Sequence, residues 1–355
     1  MTHPLHPLDA RRTQGFSLLE LMLALTIGLV ITIATLSAYL GAASASAMTE
    51  AQSRMNEDAN TALNILTQQF KMAGNNPEQT NRIDTSTPAL SSSRNPVYDA
   101  TTFLTSPTTF STSSFIIRGC AATFSNISSP TAKIDDLVCT PVPGKPGSVA
   151  VSYEADVFNT VPTSTAPIMP TDCLGNGLPV ITAQLPTIVG SGSAVTLVKY
   201  SVADNRYYIG TPNDAASAAV QKLSTPSLYC KGNGNNGLSV AQPLVENIED
   251  MQFTYGAVPA STPSAAISSA SVAGYLSATE MLSNADMAAL PDDATRWKKV
   301  ITVRICVLVR SENQVLGDLA SARYRKCDDT VESFPPDRRL RRAYSTTVVL
   351  RNRRS

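Results

Sequence analysis

Histidine is nearly absent from this chain of 355 residues, which has only His3 and His6. Both lie within the first 15 residues, so a mature protein without that segment would contain no histidine. Such a protein cannot build a Ser-His-Asp triad, a Cys-His pair or a histidine-ligated zinc site. Carboxylate, lysine and tyrosine chemistry remain, but no carboxylate pair stands out. We therefore expect a protein that is not an enzyme and holds no metal or other cofactor.

The motif C-x-x-C is also missing, which weighs against zinc clusters and thioredoxin-like redox sites. All of the cysteines follow residues 16–40, an apolar run long enough to cross a membrane. An even number of cysteines on the far side of a membrane predicts disulfide bonds, and six cysteines allow 15 pairings. We favour pairing between nearest neighbours, because the first two and the last two cysteines each close a loop of about twenty residues, worth about 3 kcal/mol. The six are Cys120, Cys139, Cys173, Cys230, Cys306 and Cys327.

Charge is sparse, at 16% of residues, and the formal net charge is zero. Without Asp9, Arg11 and Arg12 of the N-terminal segment, 26 of the 28 basic and 27 of the 28 acidic side chains remain. No overall electrostatic field would recruit nucleic acid, so we expect none as a partner. The abundance of serine, threonine and alanine is typical of an exported surface protein.

One long apolar run is present, from Phe16 to Leu40, broken only by hydroxyl groups, Gly28 and the charge of Glu20. It is long enough to cross a bilayer as a single helix, which takes about 20 residues. Arg11 and Arg12 precede the run and would keep that end in the cytoplasm. The rest of the protein is then expected across the membrane.

Three interpretations compete for this run. A secretory signal peptide, cleaved near Ala43, Ala45 and Ala47, has a shorter apolar core of about 7 to 15 residues. A plain anchor has the right length but leaves Glu20 unexplained, since a charge within the membrane costs about 2.5 to 3.5 kcal/mol. The third interpretation is a class III signal: the short basic leader, Gly15 and the sequence FSLLE closely resemble the prepilin signal.

The prepilin resemblance implies a specific processing step. In that family a prepilin peptidase of the inner membrane cuts after the glycine and methylates the new N-terminus, here Phe16 after Gly15. The Phe16 ammonium of one subunit would then neutralise Glu20 of a neighbour inside a helix bundle, where an unpaired carboxylate is costly. Glu20 is therefore interpreted as an assembly residue, the alternative being a tolerated carboxylate that snorkels to the interface.

The helix is predicted to continue past the membrane, because no proline occurs between Phe16 and Asn76. A stop follows at Gly74. We expect the second half to pack on a soluble head, since its apolar stripe would otherwise be a large exposed patch. The stripe consists of Met55, Ala59, Ala62, Leu63, Leu66, Phe70 and Ala73.

Antiparallel strands are predicted for the remainder of the chain. The clearest is Val300 to Arg310, which has one apolar face and is expected at the centre of a sheet. A hairpin with its turn at Asp204 and Asn205, a bulged strand from Leu244 to Tyr255 and a helix from Ser277 to Leu290 are also predicted.

Two further patterns are weak evidence for ligands. Residues 231–237, KGNGNNG, contain G-x-G-x-x-G, but no β-α-β pattern surrounds them, and without carboxylates they are a poor calcium loop. We interpret them as a flexible loop. Arginines cluster near the C-terminus, where local ion pairs with Asp328, Asp329 and Glu332 are favoured over binding of DNA or anionic lipid. They are Arg338, Arg339, Arg341, Arg342, Arg351, Arg353 and Arg354.

Four blocks resemble the PilW family of minor type IV pilins. They are the prepilin signal with its extension to Gly74, DCLG at 172–175, LVENIEDMQFTYG at 244–256, and the pair VITVRICVLVRS at 300–311 with DRRLRRAYSTTVVLRNR at 337–353. The resemblance implies an α+β, type IV pilin-like fold. Residues 1–15 would be a removed leader, residues 16–74 a long helix that is transmembrane over about 16–40, and residues 75–355 a periplasmic head of antiparallel sheets with disulfides.

The same resemblance implies a function and a location. The protein would take part in type IV pilus assembly or initiation, in a tip or priming complex. Its partners would be other minor pilins, the major pilin and the inner-membrane assembly platform, with prepilin peptidase as the processing enzyme. It would be a single-pass protein of the bacterial inner membrane and then part of the pilus, at its tip.

Two other functions stay open. Major pilins usually carry a proline in the membrane half of the helix, and its absence here is also typical of the J-type minor pseudopilin of type II secretion. A pilus-associated adhesin or carbohydrate-binding head is the third alternative.

Overall fold

The computed structural model describes residues 15, 17–78, 94–95, 97–98, 113–130, 133–189, 192–210 and 225–352. Phe16, the leader up to residue 14, Arg353 and Arg354 lie outside the described residues. By its internal contacts the chain divides into two units, one ending at Glu50 and the other running from Ala51 to Ser355.

Helix α1 runs from Leu18 to Met72, as the lack of proline predicted. In the second unit its apolar stripe is buried, with Met55, Leu66 and Phe70 at most 1% exposed and Leu63 partly buried against the same core. The expected packing of this stripe on the head is therefore confirmed.

The end of α1 is set by Gly74, whose φ of +75° is the left-handed conformation that favours glycine. Its N–H donates to the carbonyl of Ser152, 2.9 Å away, and so joins the helix end to the head. Near the other end of the chain, the Asn352 side chain donates to the carbonyl of Lys71 at 2.8 Å.

The first sheet is made of six strands, each paired antiparallel to its neighbours. In space the order is β1-β2-β4-β5-β6, and β3 pairs with the first half of β4. The strands are β1 (Ile117–Cys120), β2 (Ser148–Ala155), β3 (Ile181–Val189), β4 (Gly192–Gly210), β5 (Ser227–Lys231) and β6 (Gln242–Glu246).

The second sheet has four antiparallel strands, in the spatial order β12-β9-β7-β8. They are β7 (Ile248–Ala257), β8 (Gly274–Ser277), β9 (Val300–Gln314) and β12 (Arg339–Val349). The predicted central position of β9 is confirmed, because β9 pairs with β12 on one side and β7 on the other. A two-stranded ribbon, β10 (Tyr324–Arg325) and β11 (Val331–Glu332), lies between β9 and β12 in the chain.

Three short helices connect β8 to β9: α2 (Glu280–Ser283), α3 (Ala285–Ala288) and α4 (Asp293–Trp297). The single helix predicted from Ser277 to Leu290 is wrong. Asn284 leaves the helical conformation, and its side chain accepts hydrogen bonds from the N–H groups of Asp286 and Met287. It therefore caps a new helix rather than continuing the old one.

The core of the head joins α1 to both sheets. The ring of Phe70 meets that of Phe253 edge to face, with centroids 5.8 Å apart. Tyr255 is fully buried, edge-on to Trp297 at 4.7 Å, and its hydroxyl lies over Gly119. A β-carbon at Gly119 would come within 1.9 Å of that hydroxyl oxygen, so this position requires glycine.

Three disulfide bonds cross-link the head. They join Cys120 to Cys139, Cys173 to Cys230 and Cys306 to Cys327, with sequence separations of 19, 57 and 21. This is the nearest-neighbour pairing. The long middle bridge ties the loop before β3 to the end of β5.

The hairpin predicted between Val195 and Gly210 is also wrong, because β4 continues through Asp204 and Asn205. Asp204 is buried in an ion pair with Arg206, at 3.0 Å. The Asn205 amide donates to Gln69 Oε1 at 2.9 Å. The folded structure thus provides partners for two residues whose types are common in turns, and β4 pairs antiparallel with β3 instead.

The strand predicted from Leu244 to Tyr255 is two strands in different sheets, β6 and β7. Asn247, with a φ of 63°, separates them. The predicted bulge is present between Ile248 and Asp250.

Candidate functional site

The candidate assembly site lies at the start of α1. Gly15 is exposed, and a β-carbon there would have nothing within 4 Å, so no packing requires glycine at this position. Ser17 precedes the helix, and its Oγ accepts a hydrogen bond from the N–H of Leu19 at 3.3 Å. Glu20 reaches back, and its Oε2 accepts from the Ser17 N–H at 3.0 Å. Ser17 therefore caps the helix through the Leu19 N–H, and Glu20 makes the return bond that is typical of a capping box.

This geometry gives Glu20 a local role that its place in the sequence pattern did not indicate. A carboxylate in the first turn also faces the positive end of the helix dipole. An ionised carboxylate has about four lone-pair sites, of which the Ser17 N–H takes one. The capping contact therefore leaves the carboxylate able to accept hydrogen bonds from a partner as well.

The segment that follows Glu20 is a continuous apolar surface. From Leu18 to Leu40 its large apolar side chains are 53–77% exposed. The helix contains a window of mean hydropathy 2.3 and is long and apolar enough to cross a membrane. So large an exposed apolar surface needs lipid or neighbouring helices to cover it.

Hydroxyl groups within this segment are bonded to the helix itself. The side chains of Thr26, Thr32, Thr35 and Ser37 each donate to a carbonyl three or four residues earlier, at 2.8–3.0 Å. These bonds satisfy the donors without water, so the hydroxyls are compatible with a hydrocarbon environment. Among residues 17–40, Glu20 is then the one side chain that carries a charge.

Two of the C-terminal arginines, Arg339 and Arg341, form ion pairs within the head. Arg341 is 1% exposed and binds Glu249 through Nε at 2.6 Å and through a terminal nitrogen at 2.9 Å. Its other terminal nitrogen lies 2.7 Å from Asp337, which also pairs with Arg339 at 3.3 Å. The side-chain hydrogen bonds outweigh burial and raise the pKa of the Arg341 guanidinium.

Local ion pairs were predicted for these arginines, but with the wrong acids. Glu332 instead pairs with Lys326 at 2.8 Å, and Asp329 with Arg325 at 3.6 Å. The main partner, Glu249, lies 92 residues from Arg341 and within a different strand. Spacing along the chain therefore could not identify it.

The glycine-rich loop at 232–237 packs against Asp172, which explains its composition. Asp172 Oδ2 accepts from the Gly234 N–H at 2.9 Å, and Oδ1 accepts from the N–H groups of Leu174 and Asn176. A β-carbon at Gly232 or Gly234 would lie 2.2–2.6 Å from Asp172. The loop and the DCLG segment thus form one structural unit, fastened by the disulfide between Cys173 and Cys230.

Metal ligation is not supported by the part of the chain that the structure describes. Within it, no three histidine, cysteine, aspartate or glutamate side chains cluster closely enough to hold an ion.

Comparison with known families covers both ends of the chain. The model described as a prokaryotic N-terminal methylation motif matches residues 10–36, which include Gly15, Phe16 and Glu20. The model described as PilW, type IV pilus-assembly protein W, matches residues 206–352, from the end of β4 to the end of the described chain. The resemblance to the PilW family is confirmed. Together the two matches support a minor pilin associated with type IV pili, and the apolar helix with its prepilin signal fits a membrane-anchored pilin.

The PilW match includes Glu249, Arg341 and the whole second sheet, so the buried ion cluster belongs to the recognised part of the head. It does not include the DCLG segment or the loop after β2. No curated protein and no solved structure matches the chain.

Proposed function

We propose that this PilW-like pilin is a non-enzymatic subunit of a tip or priming complex, in which it joins other minor pilins and supports the assembly or initiation of the pilus. Its partners would also include the major pilin and the inner-membrane assembly platform. Its head would lie in the periplasm until it leaves the inner membrane as part of the pilus tip. The observation that carries the proposal is Glu20, the single carboxylate of the exposed apolar run, which lies within a matched methylation motif.

The chemistry of assembly follows from that carboxylate. Cleavage after Gly15 would make Phe16 the N-terminal residue and Ser17 the second, so the capping bond from Ser17 to Glu20 can persist in the mature chain. The remaining lone pairs of Glu20 can then accept the Phe16 ammonium of a neighbouring subunit. In a low-dielectric bundle each charge would be costly alone, so their pairing favours association of the helices.

The size of the head favours a position at the end of a filament over a position repeated along it. The described part of the head contains a six-stranded sheet, a four-stranded sheet and three disulfides, and the head would be larger than a thin filament lattice would readily repeat. The lack of proline in the membrane half supports a second candidate, a J-type minor pseudopilin of type II secretion.

Two variants of Glu20 test its assembly role. Glu20→Val removes the charge and the capping acceptor, whereas Glu20→Gln removes the charge but keeps an oxygen that can accept from Ser17. Both should be processed and inserted, because loss of the charge eases insertion by up to about 3 kcal/mol. Both should fail to copurify with other minor pilins, since the partner's ammonium loses its counter-charge, a defect of about 3 to 5 kcal/mol. Intact mass and pull-down of the full chain measure the two effects.

The matched control is Glu57→Gln, which removes an exposed carboxylate from the same helix beyond the apolar run. Replacing Gly15 by valine should instead block cleavage and leave the leader attached. If Glu20→Gln copurifies like the wild type while Glu20→Val does not, Glu20 acts as a helix cap and the charge-pairing role is wrong. Deletion of the gene separates the two candidate functions, since lost secretion with intact piliation would favour the pseudopilin.

A further inference from the structure

A cationic pocket is formed by the second sheet and the two-stranded ribbon. It has a volume of about 540 Å³ and is lined by residues of β9, of β12 and of the ribbon. This volume falls within the range of about 300 to 1,000 Å³ that is typical of small-molecule sites. Asp329 is the one acidic residue of the lining, whereas five lining residues are cationic. The five are Arg304, Arg325, Lys326, Arg341 and Arg342.

One side of the pocket is the face of β9 and β12 that points away from the core. Side chains alternate along a strand, and Ile305 and Val307 are fully buried in the core. Arg304 and Cys306 therefore lie on the opposite face. Ser345 is paired with Cys306 across the two strands, so it lies on the same face as Arg304. The sheet thus presents an exposed guanidinium and an exposed hydroxyl to the pocket, and both groups can donate hydrogen bonds.

The ribbon is tied to this face by a disulfide bond and shaped by its own hydrogen bonds. Cys327 is joined to Cys306 of β9, with their α-carbons 5.7 Å apart. The Asp329 N–H donates to the Lys326 carbonyl at 3.2 Å, and the Arg325 guanidinium donates to the Asp329 carbonyl at 2.9 Å. The backbone that carries the cations of the ribbon is therefore in place without a ligand, which reduces the conformational entropy lost on binding.

Three of the five cations have acidic partners, which differ in strength. Arg341 is neutralised by the two carboxylates of its buried cluster, and Lys326 pairs with Glu332 at 2.8 Å. Arg325 has a weaker partner in Asp329, at 3.6 Å, and both of these side chains are mostly exposed. An exposed pair of this kind contributes little, so an incoming anion can compete with Asp329 for Arg325.

Arg304 and Arg342 have no acidic partner within the part of the chain that the structure describes. Each instead lies over a tyrosine ring. The guanidinium carbon of Arg304 is 4.4 Å from the centre of the Tyr275 ring, and that of Arg342 is 5.4 Å from the centre of the Tyr344 ring. A ring orients a guanidinium without cancelling its charge. The pocket lining therefore contains two positive charges that no described carboxylate balances.

The composition of the lining indicates the class of ligand. It contains no aromatic side chain, and alanine is its one aliphatic residue, so an apolar ligand would find few contacts. A guanidinium can donate two parallel hydrogen bonds to a carboxylate or a phosphate. We propose that the cationic pocket binds an acidic ligand, in which Arg304 holds a carboxylate or phosphate group and the Ser345 hydroxyl is a second donor. This binding function goes beyond the proposed role in pilus assembly and does not depend on it.

Isothermal titration calorimetry of the full chain in detergent tests the proposal with two probes, pyrophosphate and citrate. The titrations are made in about 0.1 M salt, where charges are screened over about 10 Å. We expect binding of at least one probe, and Arg304→Gln should weaken it about tenfold or more, the effect of losing charged hydrogen bonds. The matched control is Arg323→Gln, which removes the same charge from an exposed residue that does not line the pocket. It should change the affinity by less than about twofold.

A second variant leaves Arg304 and its contact with Tyr275 in place. Ser345→Asp puts a carboxylate on the same face, where it would compete with the probe for the guanidinium and repel it. We expect this variant to lose binding of the probe. Because Ser345 is exposed, the urea midpoint of Ser345→Asp should be that of the wild type, so that lost binding is not the result of lost folding.

The two probes separate the possible sources of the acidic group. Binding of pyrophosphate alone would assign a phosphate, and binding of citrate alone would assign a carboxylate. If neither probe binds the wild type, the proposal is refuted. Equal weakening by Arg304→Gln and Arg323→Gln would also refute it, because the attraction would then come from the charge of the surface as a whole. These results are separate from the copurification of Glu20 variants, so either proposal can fail without the other.

Discussion

The buried cluster of Arg341, Glu249 and Asp337 gives a sharp stability prediction. Glu249→Gln removes the charge that binds Arg341 Nε at 2.6 Å and its terminal nitrogen at 2.9 Å. The guanidinium is 1% exposed, so water cannot replace the lost carboxylate. Removing one partner of a buried pair costs about 3 to 5 kcal/mol. We expect the lower end, about 3 kcal/mol, because Asp337 remains 2.7 Å from Arg341.

The control is an ion pair of the same head that lies in solvent. Arg54 and Glu312 are 3.2 Å apart, but their side chains are 61% and 59% exposed. Exposed pairs contribute about 0 to 1 kcal/mol, so Glu312→Gln should leave the free energy of unfolding nearly unchanged. Both substitutions replace a glutamate by its amide, which makes burial the main difference between them.

Urea unfolding of the full chain in detergent measures these free energies. Trp297 is the only tryptophan and is buried beside Tyr255, so its fluorescence reports unfolding of the head. With a slope of about 3 kcal/mol per molar urea, a loss of about 3 kcal/mol lowers the midpoint by about 1 M. The double variant Glu249→Met with Arg341→Met should recover part of the loss, since it also removes the buried guanidinium of Arg341, although Arg310, 3.4 Å from Glu249, still loses that carboxylate.

A cost for Glu249→Gln below about 1 kcal/mol, equal to that of Glu312→Gln, would refute this reasoning. That result would mean that the ion cluster contributes little beyond its packing.

Two further predictions concern the second sheet and its surroundings. Burial raises the pKa of the Asp250 carboxyl above its usual 3.8, as do the charges of Asp328 and Glu249, so the fold favours the protonated form. The free energy of unfolding of the wild type should therefore rise as pH falls from 7 through the raised pKa towards 3.8. Asp250→Asn should remove this pH dependence and should be more stable than the wild type at pH 7, as measured by urea unfolding. Gly119→Ala should lower the free energy of unfolding by about 1 to 3 kcal/mol, because its β-carbon would overlap a buried tyrosine hydroxyl, whereas Gly317→Ala, with open space around it, should not. An equal effect of the two alanine substitutions on the urea midpoint would contradict the role assigned to packing at Gly119.

The sequence could predict those parts of the fold in which apolar residues recur at a regular spacing. The apolar stripe of α1 and the alternation of β9 each specify one buried face, and the structure has both. The turn predicted at Asp204 and Asn205 is wrong because the fold satisfies both side chains within the strand: Asn205 donates to Gln69, 136 residues away, and Asp204 pairs with Arg206, the next residue but one. A polar residue that would end a strand in isolation can continue it when the fold satisfies its side chain.

The candidate site was predictable for a related reason. A single charge in an apolar run is conspicuous in the sequence, so Glu20 was found, although its capping bond to Ser17 was not. Glu249, the buried partner of Arg341, gave no comparable signal, because it lies 92 residues away and in a different strand.

The hydrogen bond from Asn352 to Lys71 has a consequence for biogenesis. It joins residues 281 positions apart, the last described residue of the chain and the last turn of its first helix. Contacts between such distant residues form late, since the intervening chain must first be ordered. The Lys71 carbonyl therefore receives this donor only after the strand that precedes Asn352 has paired. A chain truncated before Asn352 would keep the bond from Gly74 to Ser152 but would lose this second tie between the end of α1 and the head.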